Sequence, residues 1–447
     1  MAHQEPDLVG DHGLERLAAR TLERQLPPQS ARITLVNDVN FMLYAPLLPG
    51  AAGGSLEPRH VVVPLREELK QTDLRLGQVC GADPAANCLR VTTLEGHDEN
   101  IKYDHLIVAL GSISRSLPIP GLAEHAIGFK TLPEAIALRN RVIRSLEMAE
   151  TLEDPDQRAA YLTFVFVGGG YAGVEGLAEL QDFAADAIDE YPRCRTQGLR
   201  FVLVEAADRI MRETPPDLAA FTTQELRGRG IEIRTHTTIE EVTDRTVRLS
   251  TGEEVPSRTL VWTAGVKPHP VVERLGLPLE NGRIKVDPYM QAEGTGNVWA
   301  IGDAAAVPDP AKDHKAPSPP TAQHAIRQGK LVARNVAAAI GGGRKRPFRY
   351  KTKGVFVDLG RRKAVADTMG IKWRGTPAWL IARTYHLLMV PGLGRRARLL
   401  IDWNIGLLFG RDLSELGQLG HPPALTGHLE GQSSGGTSED REPAGTR

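Results

Sequence analysis

The feature that most constrains this chain is the segment TFVFVGGGYAGVEGLAELQDFAADAIDEY, Thr163 to Tyr191, followed at Arg200 by RFVLVEAADRI. The apolar run before the glycines reads as a strand buried on both faces, and the stretch after them reads as a helix. Gly168, Gly170 and Gly173 fill the three places of G-x-G-x-x-G between the two. In that setting the first glycine makes the tight turn and the second lets backbone approach a pyrophosphate. The third lets helix and strand pack closely, with phosphates at the helix N-terminus. Glu205 ends the next strand, where a carboxylate accepts from ribose hydroxyls and repels a 2′-phosphate, favouring NADH over NADPH. A glycine turn without a ligand is the bland alternative, and the four signals together outweigh it.

The same alternation extends along the chain. RITLVN, HVVVPL and HLIVALG are short β-rich runs, a helix is signalled from Thr131 with Pro133 in its first turn, and RTLVWTAGV and NVWAIGDAAAV follow. A further helix is expected from about Thr321 to Ile340. Strands and helices at this spacing imply an α/β fold with parallel sheets and crossover helices. The Pro-rich spacer 308–321 reads as a surface loop, and the Gly- and Ser-rich residues 428–447 as a disordered tail.

Cys80, Cys88 and Cys194 form no C-x-x-C, so neither a disulfide framework nor a structural zinc site is indicated, and no metal is expected. A reducing compartment is the simplest inference. No signal-peptide pattern and no run of eighteen apolar residues is present. The net charge of −1 conceals an asymmetry: residues 344–411 hold sixteen Lys and Arg against three acids, +13, so the remainder carries −14.

Gly302-Asp303, at the end of an apolar strand, is by itself more often a turn or a cap. It gains meaning beside VGGGYAGVE, VWTAGV, PPTAQHAIRQG, YDHLIVALGS and FMLYAPLLPGAAGG. In this order, over about residues 31–415, these motifs closely resemble the two-dinucleotide-binding-domain flavoproteins, and within them the type II NADH dehydrogenases (NADH:quinone oxidoreductases). The resemblance implies two Rossmann-like domains: a discontinuous FAD domain (1–125 and 286–345) and an inserted NADH domain (126–285). A C-terminal membrane-docking or dimerisation segment (346–427) would follow. Gly302 and Asp303 then match the motif holding the ribityl and phosphate part of FAD. Ala109, Gly111 and Ser112 match the strand-turn over the cofactor, and Thr263 to Val266, with Gly265, its counterpart where the domains meet. Ala322 and Gln323 match the pair lining the quinone pocket, and Glu175 an acid close to the nicotinamide. Gln323 as a helix cap and Glu175 as a solvated first-turn acid are the plain alternatives.

The activity so implied is respiratory: hydride from NADH to flavin, electrons onward to a membrane quinone, without proton pumping. The flavin carries the chemistry, so Glu175 and Gln323 are the residues expected nearest to it. A same-fold NADH oxidase or ferredoxin or rubredoxin reductase is the first rival, and a flavin-deficient NADH-binding protein the second. The absent cysteine pair argues against relatives that relay electrons through a disulfide. PAWLIARTYHLLMVPGLGRRARLLIDWNIGLLFGRD reads as two apolar helices around Pro391-Gly392. Trp379, Tyr385 and Trp403 are expected at headgroup depth and Arg383, Arg395, Arg396 and Arg398 on acidic lipid, which places the chain peripherally on the cytoplasmic face. A homodimer is the coexisting alternative, and nucleic acid is not an expected partner.

The N-terminus fits the pattern least. Counting back from AARTLERQ, which matches the family's first helix, the glycine places hold Gly10, His12 and Glu15. HQEPDLV is thin for a central strand, and Asn37 stands at the ribose-binding acid position with Asp38 one place along. Three readings follow: a start that is not the native one, a slipped pairing of Gly10 with Gly13, or a decayed flavin site. The abrupt end of the resemblance near Leu17 favours the first.

Overall fold

The apolar runs expected as buried strands assemble into two sheets, one mixed and one parallel. The computed structural model describes residues 6–10, 14–308, 317–351 and 354–415. One sheet has seven strands in the order Val298–Ala300, His105–Ala109, Pro6–Gly10, Ile33–Asn37, Thr72–Asp83, Cys88–Thr93, Asp98–Lys102. Its first five are parallel and its last two pair antiparallel. The thin N-terminal run therefore does form a strand, flanked on both sides: Val9 registers with Val36 and with Val108. Pro6 is tolerated because it opens the strand, where the missing N–H costs least. Helix Leu14–Gln25 buries Ala18, Ala19 and Leu22 and packs along helix Ala322–Ile340.

The second sheet is parallel throughout, in the order Ala126–Gly128, Thr259–Trp262, Thr163–Val167, Arg200–Val204, Glu232–Arg234. Helix Leu132–Thr151 enters through a capping box in which Thr131 and Glu134 satisfy each other's backbone N–H groups. An antiparallel ribbon of Ser112–Ser114 with Val266–Pro268 ties the carboxyl end of one sheet to that of the other.

The C-terminal segment is more than the expected helices. Strands Gly354–Asp358, Ala364–Thr368 and Ile371–Arg374 form an antiparallel sheet before helices Gly375–Met389 and Leu393–Leu408. No helix among the described residues is long and apolar enough to cross a membrane. Three of the four arginines assigned to lipid turn inward. The Arg383 guanidinium lies 4.3 Å from the Trp379 ring and 4.7 Å from that of Trp403, both buried indoles. Arg395 is buried and donates to the Val62 carbonyl and, at 3.3 Å, to Glu67. Arg396 caps the carbonyls of Leu388 and Val390 at 2.7 and 2.8 Å, groups that a helix end leaves without partners. Only Arg398 is exposed. The residues 428–447 and most of the 308–321 spacer lie outside the described residues.

Candidate functional site

The glycine motif of the second sheet is built for a ligand at the carboxyl end of its strands, where parallel sheets place their crevices. Gly168 has φ +111°, and Thr263 Oγ1 donates to the carbonyls of Val167 and Gly168 at 2.9 and 3.0 Å. A Cβ on Gly173 would stand 2.0 Å from the Gly168 carbonyl oxygen, so this glycine is imposed by the approach of helix to strand. A Cβ on Gly170 would meet nothing within 4 Å. Packing does not require glycine there; open space before the uncapped N-terminus of Tyr171–Ala187 is what it preserves. Glu205 ends the neighbouring strand and accepts from Gly169 N–H at 2.6 Å and Ala207 N–H at 2.8 Å.

The carboxyl edge of the first sheet gathers the other expected binding residues. Gly10 registers with Ala109, and Gly111 and Gly302 take φ +65° and +67° at their turns. Asp303 Oδ2 accepts from Ser112 Oγ at 2.5 Å, and Lys130 Nζ donates to the same hydroxyl at 2.5 Å. Gln328 holds the Gly302 N–H at 2.8 Å. Asn37 is buried; its amide donates to the Val39 carbonyl while its Oδ1 has no partner within the protein. That orphaned acceptor at a strand end fits a ribose hydroxyl, whereas Asp38 is exposed. Gly265, with φ +89°, lies on the ribbon side, its carbonyl accepting from Arg115 N–H. The residues present thus fit a dinucleotide along this edge. Glu15 is fully buried in the first turn of its helix, and His12 lies outside the described residues.

Glu175 and Gln323 are not neighbours; one strand links them. Glu175 Oε1 accepts from Asp358 N–H at 3.0 Å at one end of Gly354–Asp358, and Gln323 Nε2 donates to the Gly354 carbonyl at 2.7 Å at the other. Those anchor points are separated by roughly 13 Å of strand. Gln323 does not cap its helix, whose N-cap is Thr321; its Oε1 accepts from Tyr350 Oη at 2.8 Å. Ala322 beside it is exposed.

Glu175 is not a solvated first-turn acid. Burial pushes its carboxyl up to about 8 against the single backbone N–H that it accepts. Burial likewise raises Glu179 and Asp358, which repel each other, with Arg383 opposing the rise at both. Burial would also raise Asp182, but Arg411 at 2.6 Å and Arg361 at 3.0 Å hold its carboxyl below the usual range. The His386 imidazole, half-buried and bonded to Tyr44 Oη at 3.2 Å, is lowered by desolvation to about 4. Asp358, Glu179, His386 and Lys130 were not legible as site residues. The strand bearing Asp358 reaches Glu175 across 183 positions of sequence.

Residues 17–329 match the model of a family described as pyridine nucleotide-disulphide oxidoreductase. The Type II NADH:quinone oxidoreductase Ndh of Mycobacterium tuberculosis is 31% identical over 415 residues, covering 88% of this chain and 86% of that one. Demethylphylloquinone reductase NdbB of Synechocystis is 29% identical over 402 residues, covering 87% and 93%. Among solved structures, NDH2 from Plasmodium falciparum in complex with NADH superposes with a TM-score of 0.83 at 17% identity, over 92% of this chain and 100% of that one. Cys80, Cys88 and Cys194 are free thiols. On these matches, the chain belongs to the pyridine nucleotide-disulphide oxidoreductase family, in its type II NADH:quinone oxidoreductase branch.

Proposed function

We propose that the chain oxidises NADH and reduces a membrane quinone with FAD as its resident cofactor, without pumping protons. The observation that carries this reading is the pair of cradles at facing sheet ends, joined by the ribbon of Ser112–Ser114 with Val266–Pro268. FAD, when bound, accepts hydride and releases electrons singly or in pairs. Asn37 Oδ1, the Gly302 turn and Asp303 with Ser112 are the groups that would hold it. The cradle at Gly168, Gly170 and Gly173 takes the NADH pyrophosphate, and Glu205 its ribose hydroxyls. Glu175, its carboxyl raised by burial and its Oε1 engaged by Asp358 N–H, is the acid beside the nicotinamide. Gln323 and Ala322 line the quinone approach, Gln323 fixed by Tyr350 and Gly354. In domain terms, 1–125 with 286–345 bind FAD, 126–285 bind NADH, and 346–427 dock.

Among the described residues, fourteen of the nineteen exposed large hydrophobic side chains fall between Met369 and Phe409, including Leu393 at 81% and Phe409 at 82% exposure. That concentration supports docking on lipid at the cytoplasmic face, with Arg398 as the exposed arginine of the helix pair. The test has two arms. NADH oxidation should depend on a quinone analogue and proceed far more slowly with oxygen alone; an equal rate with oxygen overturns the quinone assignment. Sedimentation with anionic vesicles should be lost in Ile401→Asp with Leu408→Asp; undiminished sedimentation overturns the docking assignment.

A further inference from the structure

A chain of hydrogen bonds crosses from the second sheet to the carboxyl edge of the first. Lys130 stands between strand Ala126–Gly128 and helix Leu132–Thr151, and both of its flanks are fixed. Before it, Phe129 is buried against helix Tyr171–Ala187, so closely that a Cβ on Gly176 would stand 2.6 Å from the ring. After it, the capping box takes hold: Glu134 Oε2 accepts from Lys130 N–H at 2.8 Å and from Thr131 N–H at 2.7 Å. The same carboxylate imposes glycine at 128, since a Cβ there would stand 2.1 Å from Glu134 Oε1. The lysine backbone is thereby set by the second sheet and its helices.

Its side chain is engaged with the first sheet. Lys130 Nζ donates to Ser112 Oγ at 2.5 Å, and Ser112 Oγ donates to Asp303 Oδ2 at 2.5 Å. A hydroxyl has a single proton to give; with that proton on the carboxylate, Ser112 can only accept from the ammonium, so the order cation, hydroxyl, carboxylate is fixed. Ser112 is 1% exposed, and the link therefore runs through protein rather than solvent. Hydrogen bonds with an ionised partner are the strong ones, more so where water is excluded. Asp303 itself is half-buried, and Gln328 holds the Gly302 N–H beside it at 2.8 Å. Its Oδ1 makes no hydrogen bond with protein among the described residues. One oxygen of the acid is committed to the lysine's chain, and the other is left for a ligand.

We infer that Lys130 is a positioning residue of the flavin site, acting through Ser112 to fix Asp303 for the ribityl hydroxyls of FAD. The inference rests on the assignment of Asp303 to FAD and goes beyond it: the grip on a cofactor seated at the first sheet depends on a lysine carried by the second. Two effects combine. The chain of bonds holds the carboxylate in one orientation, and the ammonium offsets a negative charge that would otherwise repel the cofactor's phosphates. Without the lysine, Asp303 is free to turn and its charge is uncompensated, and both changes loosen FAD.

The test is FAD release from the purified full-length holoenzyme on dilution, read by the fluorescence of the freed cofactor. Lys130→Met, similar in length but uncharged, should weaken retention by roughly tenfold or more, the loss of a charge-assisted bond to a buried group. Lys130→Arg should return it to within roughly threefold of wild type, since the cation and its donors are restored. Ser112→Ala should weaken retention as Lys130→Met does, and combining the two should add little, because they act in series. Equal retention in wild type and Lys130→Met overturns the inference. So do losses that multiply in the double variant, which would take Lys130 off the path through Ser112. Should Lys130→Met fail to fold, Lys130→Gln takes its place with the same expectation. A wild-type chain that carries no FAD overturns the flavoenzyme reading itself, and this inference with it.

Discussion

The two sheets share one strand-then-helix plan and differ at the places of the glycines. In one, Thr163–Val167 passes through Gly168, Gly170 and Gly173 into Tyr171–Ala187, and any Cβ at Gly173 would strike the Gly168 carbonyl. In the other, Pro6–Gly10 passes into Leu14–Gln25 with a fully buried Glu15 at the place of the third glycine. Both strands nonetheless pair in parallel on both sides. The apolar strand and the packed helix are therefore enough to specify the sheet. The glycines answer to two narrower demands: how closely helix meets strand, and what must approach the helix N-terminus.

That comparison can be broken in order of expected effect. Gly173→Val should cost roughly 3 kcal/mol or more, since backbone must move to admit the side chain; denaturant unfolding that leaves the midpoint unchanged would show that the close approach is not obligatory. Next comes the acid carried by the second helix. The Glu175 carboxyl, raised by burial from 4.5 to about 8, stabilises the fold fully below pH 4.5, and that contribution is lost as the pH rises through about 8. Glu175→Gln should remove a slope of up to ~1.4 kcal/mol per pH unit across that window, as read from unfolding free energies at several pH values. A wild-type slope retained in the variant would place the titration elsewhere.

Gly170→Ala should separate packing from binding. The added Cβ meets nothing, so stability should stay within ~0.5 kcal/mol, while NADH affinity falls by roughly tenfold because backbone no longer meets phosphate. Unaltered NADH binding would move the pyrophosphate away from this turn. Smallest is Glu205→Gln, which removes the charge and leaves one acceptor oxygen for the Gly169 and Ala207 N–H groups that the two carboxylate oxygens now serve. The preference for NADH over NADPH should drop severalfold in steady-state kinetics; an unaltered preference removes Glu205 from the ribose site.

The strand, glycine turn and helix of the second sheet were legible almost entirely because their signals are local: a buried strand, three glycines and a helix within one run of chain. The first was misread as too thin for a central strand, because Pro6 and the flanking acids weaken the pattern while neighbouring strands supply the pairing. The C-terminal segment was half legible. Its helices follow from periodicity, but strand Gly354–Asp358 is short, set between basic stretches, and fixed by contacts with Gln323 and Glu175 far away in sequence. Arginines 383, 395 and 396 looked like lipid-facing charge for the same reason. Their partners, two tryptophan rings, Glu67 and a helix end, become visible only once the chain is folded.

The flavin is the point on which both cradles bear, and the most direct measurement is the visible spectrum of the purified full chain. The account predicts flavin bands that bleach when NADH is added without air and return when a quinone analogue follows. A colourless protein, or bands that NADH leaves unchanged, would contradict it.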